Sequence, residues 1–544
     1  MITPSEHRES LATVRGALLV VLGIAVVAQA LVFANTRNTF ASILAAIPFV
    51  AAVLIVFRRP TSCAGAPLPG TIVFLMIAGN SIAPLYGTLL EGKPLSFSLS
   101  DPVAVFQHRA VYGVSLLAAY LIAISLWLSP VRNIFVGLGR SLGTSKLFSV
   151  RSVWIIGFIG IGAGLLKFLP LPSLVTKILD GVGFLNWAPY ILLIPPYFDR
   201  KKSLTDYWPL ALLYLFQAGI SAGTNSRMGF VGPLAAVASA WLVCLISGHL
   251  VVDARWMRKA ALSSIAGLVV MSQFVDFSTA MLIERDRRGA RSLAAQAGAT
   301  WDTFLDKDRL ALYRTYFRDV EEARSGWKEN YVDNPILARF IQIKFDDNCL
   351  KRVRHYTPDD IQSLTTISRD KMFALIPGPF LKPLGISIDK EFVNSFSTGD
   401  LMESLGGNPV LGRRLTGSIP AQIFAIFGWW YPAVVILVYM MIWIILAGIV
   451  SNKFAFFRVS TLGMILAFQV FTDISLDGIT NSTGFVFRGA WEVLLLYALV
   501  LAAMRFMGEG KLLRPPNLGR SRGISRKPGR KLDEMNPNLA KETP

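Results

Sequence analysis

The sequence predicts an all-α polytopic integral membrane protein with about twelve transmembrane helices and one large, mainly helical periplasmic loop. Three observations carry this. Of 544 residues, 53% are hydrophobic and 16% charged, against roughly 25% charged in a soluble domain. The apolar residues come in separated blocks of about 15–25, the length needed to cross a bilayer. Lys and Arg cluster after every second block, the pattern that fixes membrane topology. A soluble enzyme and a disordered scaffold are thereby excluded. The net charge of +19 has its source in cationic loops, so it does not point to nucleic acid.

The candidate spans lie near 16–34, 40–57, 70–90, 110–129, 153–169, 184–197, 208–223, 229–249, 260–283, 422–449, 460–478 and 489–506. The first follows Arg8 and Arg15 without a small-residue cleavage site, and reads as an anchor. Positive residues follow the even-numbered spans: Arg58-Arg59, then Arg132, Arg140, Lys146 and Arg151, then Arg200-Lys201-Lys202, then Arg255, Arg258 and Lys259, then Lys453 and Arg458. A basic tail follows the last span. This places both termini in the cytoplasm and the large loop outside, which is the periplasm in a Gram-negative cell. The spans 184–197, with Pro189, Pro195 and Pro196, and 208–223 are short.

The chain divides into spans one to nine (1–283), a large loop or cap (284–418), spans ten to twelve (419–507) and a basic tail (508–544) that composition marks as disordered. Arg520, Arg522, Arg526 and Lys527 in the tail suit contact with anionic lipid heads, beside the plainer reading of a topology signal. In the cap, Thr300–Gly326 has helical apolar spacing, with Thr300 or Asp302 as its cap. Thr357-Pro358-Asp359-Asp360 opens a second helix. Pro377, Pro379, Pro383 and the Gly399–Pro409 region read as loop.

No metal or cofactor is expected. The four His are scattered, no two of the three Cys share metal-ligand spacing, and no Gly-rich phosphate loop is present. Ionisable residues at membrane boundaries are costly and mark candidate sites. Asn225-Ser226-Arg227 forms a hairpin turn in which an Arg is not needed for the turn itself. Glu284-Arg285-Asp286-Arg287-Arg288, with Arg291 beyond, marks the exit of the ninth span. Arg413-Arg414 precedes the return to the membrane, and Arg488 stands at the start of the last span with Asp473 and Asp477 before it. For each cluster a lipid-head anchor or a structural ion pair stands beside the functional reading. All four clusters fall on the same predicted face. Arg presents planar donors for phosphate and stays charged when partly dehydrated, so convergent Arg suits a lipid-linked pyrophosphate.

Asn225-Ser226-Arg227-Met228-Gly229 resembles the Ser-Arg-Gly turn of the O-antigen polymerase and ligase superfamily. The stretch from Pro420 through Phe427-Gly428 to Tyr431 is similar to the Pro-containing, Phe-Gly-ending start of the span after the large loop in O-antigen and exopolysaccharide repeat-unit polymerases. Arg488-Gly489 and the large loop after the ninth span also look like these polymerases. The resemblance implies a C-type membrane glycosyltransferase. It would pass a glycan from an undecaprenyl pyrophosphate donor to a second lipid-linked glycan, without a bound metal. A chain-length regulator is the implied partner, besides the lipid bilayer.

By position, Arg227 with Arg285, Arg287 or Arg288 would hold the pyrophosphate and neutralise its growing charge. Asn225, Ser226, Arg291, Arg413, Arg414 and Arg488 would assist binding. Glu284, Asp286, Asp473 and Asp477 stand open as the general base. The ligase branch carries His-Asn shortly before the span after its loop, where this chain has Ser418-Ile419-Pro420-Ala421. His355 lies about sixty residues earlier and reads as a surface residue. The expectation is therefore polymerase, with ligase and a transporter or flippase for lipid-linked glycans as alternatives.

Overall fold

The computed structural model describes residues 3–58, 66–198, 204–253, 255–258, 274–285, 291–317, 327, 331–334, 337–376, 378–407, 411–451, 458–475 and 477–512. Among these, regular structure is helical, with only the isolated bridges Phe148–Leu512 and Ser451–Val459 outside it. Among the described residues, seven helices are long and apolar enough to cross a membrane. The chain is a polytopic membrane protein.

Helix α1 (Pro4–Val32) starts at a capping box in which Thr3 and Glu6 satisfy each other's backbone. Asn35 caps α2 (Thr36–Val56), and α3 (Pro67–Leu90) breaks briefly at Ser81. Asp101 caps α4 (Pro102–Ile124), whose Gly113 lets Pro48 of α2 approach to 2.7 Å of where a Cβ would stand. The fourth span therefore begins eight residues before its expected start at 110. The Asp101-Pro102 signal sets the helix start, and the early turns carry His108 and Arg109, which hydropathy alone had left outside.

Helix α5 (Ser129–Leu142) was not expected. It is amphipathic, and α6 (Val150–Leu166) follows. The expected span at 184–197 is not an α-helix: this stretch is a 3₁₀ helix, Gly183–Leu193, with Pro189 inside it. It lies tightly against α6 because Gly157 faces Pro189 and Gly160 faces the Asn186 backbone, where a Cβ would stand 2.2 Å from the nearest atom in each case. The chain then runs through α7 (Trp208–Thr224), α8 (Met228–Ile246) and α9 (Phe274–Ile283).

The large segment holds α10 (Leu293–Leu305), α11 (Ile343–Val353), α12 (Pro358–Ala374) and α13 (Thr398–Leu405). The helix expected after Thr357 is α12, and Thr357 and Asp360 close a capping box at its start. The expected Thr300–Gly326 helix is corrected. Ser292, not Thr300 or Asp302, caps α10, and Asp306 interrupts the helix and caps the next short one, Lys307–Leu312. The tail of that expectation, 318–326, lies outside the described residues. Part of Gly399–Pro409 is likewise helix and not loop, since Ser397 and Asp400 form a capping box for α13.

Helix α14 (Ile419–Ile449) bends at Gly428, whose φ is 54°. Helices α15 (Thr461–Ser475) and α16 (Ile479–Phe506) complete the bundle. The last begins ten residues before the expected 489, so Arg488 lies within it on a π-helical turn, Phe485–Gly489. The basic tail beyond Leu512 lies outside the described residues.

Hydrogen bonds define two ends. At one, His7 Nε2 meets Leu245 O at 3.1 Å, Arg458 N donates to His249 Nε2 at 3.1 Å, and Ser149 N donates to Lys511 O at 2.7 Å. We call this the terminal end. At the other, the loop end, Ser96 N donates to Asn38 Oδ1 at 3.0 Å, Ser100 N to Asp347 Oδ1 at 2.8 Å, and Gly417 N to Asp477 Oδ1 at 3.1 Å. The described parts of the N- and C-terminal regions therefore share one end, opposite the large segment.

Candidate functional site

The hairpin between α7 and α8 is built by Asn225. It adopts φ 52°, a left-handed conformation that Asn tolerates, and so ends α7. Its amide donates to Met281 O of α9 at 2.8 Å, and Ser221 Oγ donates to Ser226 O. Asn225 and Ser226 thus shape the turn and fasten it to α9. Arg227 follows at the N-cap position of α8, half-buried.

Below Arg227 lies a cavity of about 460 Å³. Helix α8 lines it with Phe230, Leu234 and Ala238, spaced four residues apart on one face. Helix α9 contributes Phe274, Phe277, Ser278 and Met281, and α15 contributes Phe468 and Phe471. From Arg227 to Ser239, the deepest lining residue of α8, a rise of 1.5 Å per residue gives about 18 Å. Among the described lining residues, Arg227 alone is ionisable. The positive end of the α8 dipole adds to its positive potential. A cation at the mouth of a greasy slot suits a ligand with an anionic head and a hydrocarbon tail.

The exit of α9 differs from its expected role. Glu284 is 2% exposed, and Arg291, Arg309 and Thr303 donate to its carboxylate at 2.7, 2.7 and 2.9 Å. Burial pushes this carboxyl up, but the bonds from Arg291 and Thr303 and the charge of Arg309 outweigh it and hold it below the usual range. Glu284 is a structural clamp that ties α10 to α9. As a general base it is a poor choice, because both oxygens are engaged. Arg291 is correspondingly a partner of Glu284. Arg285 is exposed, and Asp286, Arg287 and Arg288 lie outside the described residues.

The other candidates separate. Arg413 and Arg414 are exposed, and the Arg414 backbone N–H donates to Asp400 at 2.9 Å. Asp477 accepts from the backbone N–H groups of Gly417 and Thr398 at 3.1 and 3.4 Å, so it locks the loop to the return into α14. Arg488 pairs with Glu492 at 3.0 Å along its own helix, both half-exposed, and not with Asp473 or Asp477. Asp473 is exposed, and Gln469 donates to one of its oxygens at 2.9 Å. It lies two residues beyond Phe471 on α15, which packs against α8, so Arg227 and Asp473 stand on neighbouring helices at the loop end.

Sequence reasoning missed a buried polar cluster. Arg109 of α4 grips Asp346 of α11 with two guanidinium nitrogens, one at 2.7 Å, and Ser418 Oγ donates to the same carboxylate at 2.6 Å. Lys344 pairs with Asp347 at 2.7 Å, and both are buried. Tyr112 and Tyr439 continue the chain of contacts into the bundle through a 2.7 Å hydrogen bond. The available signal was Arg109 itself, a charge seven residues past a helix-starting Pro and just before an apolar run. Its partner could not be read, being 237 residues away.

Compared with known proteins, the chain matches no family model, no curated protein and no solved structure. The functional reading therefore rests on the chain's own residues.

Proposed function

We propose that this protein polymerises lipid-linked oligosaccharide repeat units, taking the growing glycan from an undecaprenyl pyrophosphate carrier at the extracytoplasmic face of a bacterial inner membrane. The observation that supports this best is the 460 Å³ cavity, lined by apolar side chains along three turns of α8 and headed by Arg227. The tail of a polyprenyl carrier fits such a slot, and its pyrophosphate would meet the guanidinium.

The proposed topology has about twelve passes, with the 3₁₀ segment Gly183–Leu193 as the sixth and the loop end outside. In the proposed reaction, a hydroxyl oxygen of the incoming repeat attacks the anomeric carbon of the donor glycan. The bond from that carbon to the pyrophosphate oxygen breaks, and the pyrophosphate leaves with its carrier. Arg227 offsets the charge that grows on the leaving oxygen. Among the described candidates Asp473 is the favoured acceptor for the hydroxyl proton, because only one of its oxygens meets a donor whereas both oxygens of Glu284 and of Asp477 do. Arg488, paired with Glu492, is secondary.

The test is polymerisation by purified protein with a synthetic undecaprenyl pyrophosphate repeat unit in EDTA, beside Arg227→Ala. A glycan ladder that the variant loses supports both function and site. A ladder that survives the substitution keeps the function and removes Arg227 from the site. No ladder from folded protein moves the reading to ligase or flippase, which transfer to other acceptors or move the lipid unchanged.

A further inference from the structure

We infer that Ser278 is a second anchor in the cavity, donating its hydroxyl to a phosphate oxygen of the ligand whose charge Arg227 meets. The inference rests on the reading of the cavity as a lipid-phosphate site. Ser278 lines the cavity, is 4% exposed, and its Oγ has no hydrogen-bond partner. A helical serine or threonine ordinarily bonds back to the carbonyl four residues earlier. The next residue, Thr279, does so, donating to Val275 O at 2.9 Å. Ser278 does not, and a buried donor left unmade in apolar surroundings is costly.

Its depth matches the second end of a pyrophosphate. Asn225 bonds to Met281 O at 2.8 Å, so Met281 lies level with the hairpin that carries Arg227. Ser278 stands three residues further along α9 and lines the same cavity, about 4.5 Å deeper by the helical rise. A ligand entering tail-first past Phe277 and Phe471 would hold its phosphates between Arg227 and Ser278. A plain hydrocarbon would leave the hydroxyl unmatched.

The experiment measures binding of a long-chain prenyl pyrophosphate, and of an isoprenoid hydrocarbon of equal length, to the full chain in nanodiscs. Wild type, Ser278→Ala and Ser278→Cys are compared, with thermal unfolding as the folding control. Wild type should prefer the pyrophosphate. Ser278→Ala should weaken that ligand about tenfold, the worth of one hydrogen bond to a charged group, and change hydrocarbon binding less than about twofold. Ser278→Cys, which keeps the shape with a weaker donor, should fall between. Equal weakening of both ligands, or no change in either, overturns the role of Ser278. If wild type binds both ligands equally, the lipid-phosphate reading of the cavity itself fails.

Discussion

Removing one partner of the Arg109–Asp346 pair should loosen the large segment from the bundle. Arg109 is 6% exposed and Asp346 0%, so neither group can turn to water when the other is lost. Asp346→Ala leaves the guanidinium buried and unpaired, at a cost of about 3–5 kcal/mol. It also takes the acceptor from Ser418, for about 1 kcal/mol more. Cys349, 0% exposed on the same helix as Asp346, supplies the assay. With Cys63 and Cys244 replaced by Ser, its labelling by a thiol reagent reports opening of α11. A loss of this size should speed labelling about 10³- to 10⁴-fold, at 1.4 kcal/mol per factor of ten. The double variant Arg109→Met with Asp346→Leu should label more slowly than either single variant, because no charge is then stranded. Single variants that label at the wild-type rate, or a double variant whose effect is the sum of the two, would refute the reasoning.

Acid should loosen the α9–α10 junction. Glu284 is held below its ordinary range when folded, so its contribution is fully present above that range and is lost as pH falls through the folded value. Proteolysis of the segment after α9 should accelerate on going from pH 7 to below 4.5, and Glu284→Gln should be loose at both pH values. Gly399→Ala should reduce folded yield sharply, since a Cβ there would stand 2.3 Å from Leu415 O, a backbone atom that cannot step aside. Fluorescence size exclusion in detergent checks this. Arg488→Ala should change thermal stability by less than about 1 kcal/mol, because its pair with Glu492 is half-exposed and lies along one helix.

Several elements were legible because a local rule fixes them. Asn225 had to lie in a turn, because it interrupts two apolar runs and tolerates left-handed backbone. Thr357-Pro358-Asp359-Asp360 announced α12, because a Pro suits the first turn of a helix. Asp101-Pro102 carried the true start of α4, but hydropathy placed it later because His108 and Arg109 interrupt the apolar run. Helix α11 was overlooked for the opposite reason. Its sequence, Ile343–Val353, is rich in charge and looks solvated, yet Lys344, Asp346 and Asp347 are buried because each finds a partner on another element or one turn away.

The candidate Arg residues divided along the same line. Position along the chain put Arg227, Arg291, Arg413 and Arg488 at membrane boundaries. Which of them faces a cavity, and which meets a carboxylate, depends on how the side chains pack. Arg291 goes to Glu284 and Arg488 to Glu492, while Arg227 heads an apolar slot made by α8, α9 and α15.

By itself, then, the sequence determined that this chain lives in a bilayer and is built of helices. In hydrocarbon every backbone polar group must be satisfied within its own segment, so composition and block length suffice. Tertiary structure alone decided which carboxylates are clamps, that Asp346 lies under Arg109, and that Ser278 keeps an unmatched hydroxyl beside the cavity. Those outcomes are set by contacts across elements far apart in sequence, and a side chain's burial and partners have no signature in its immediate neighbours.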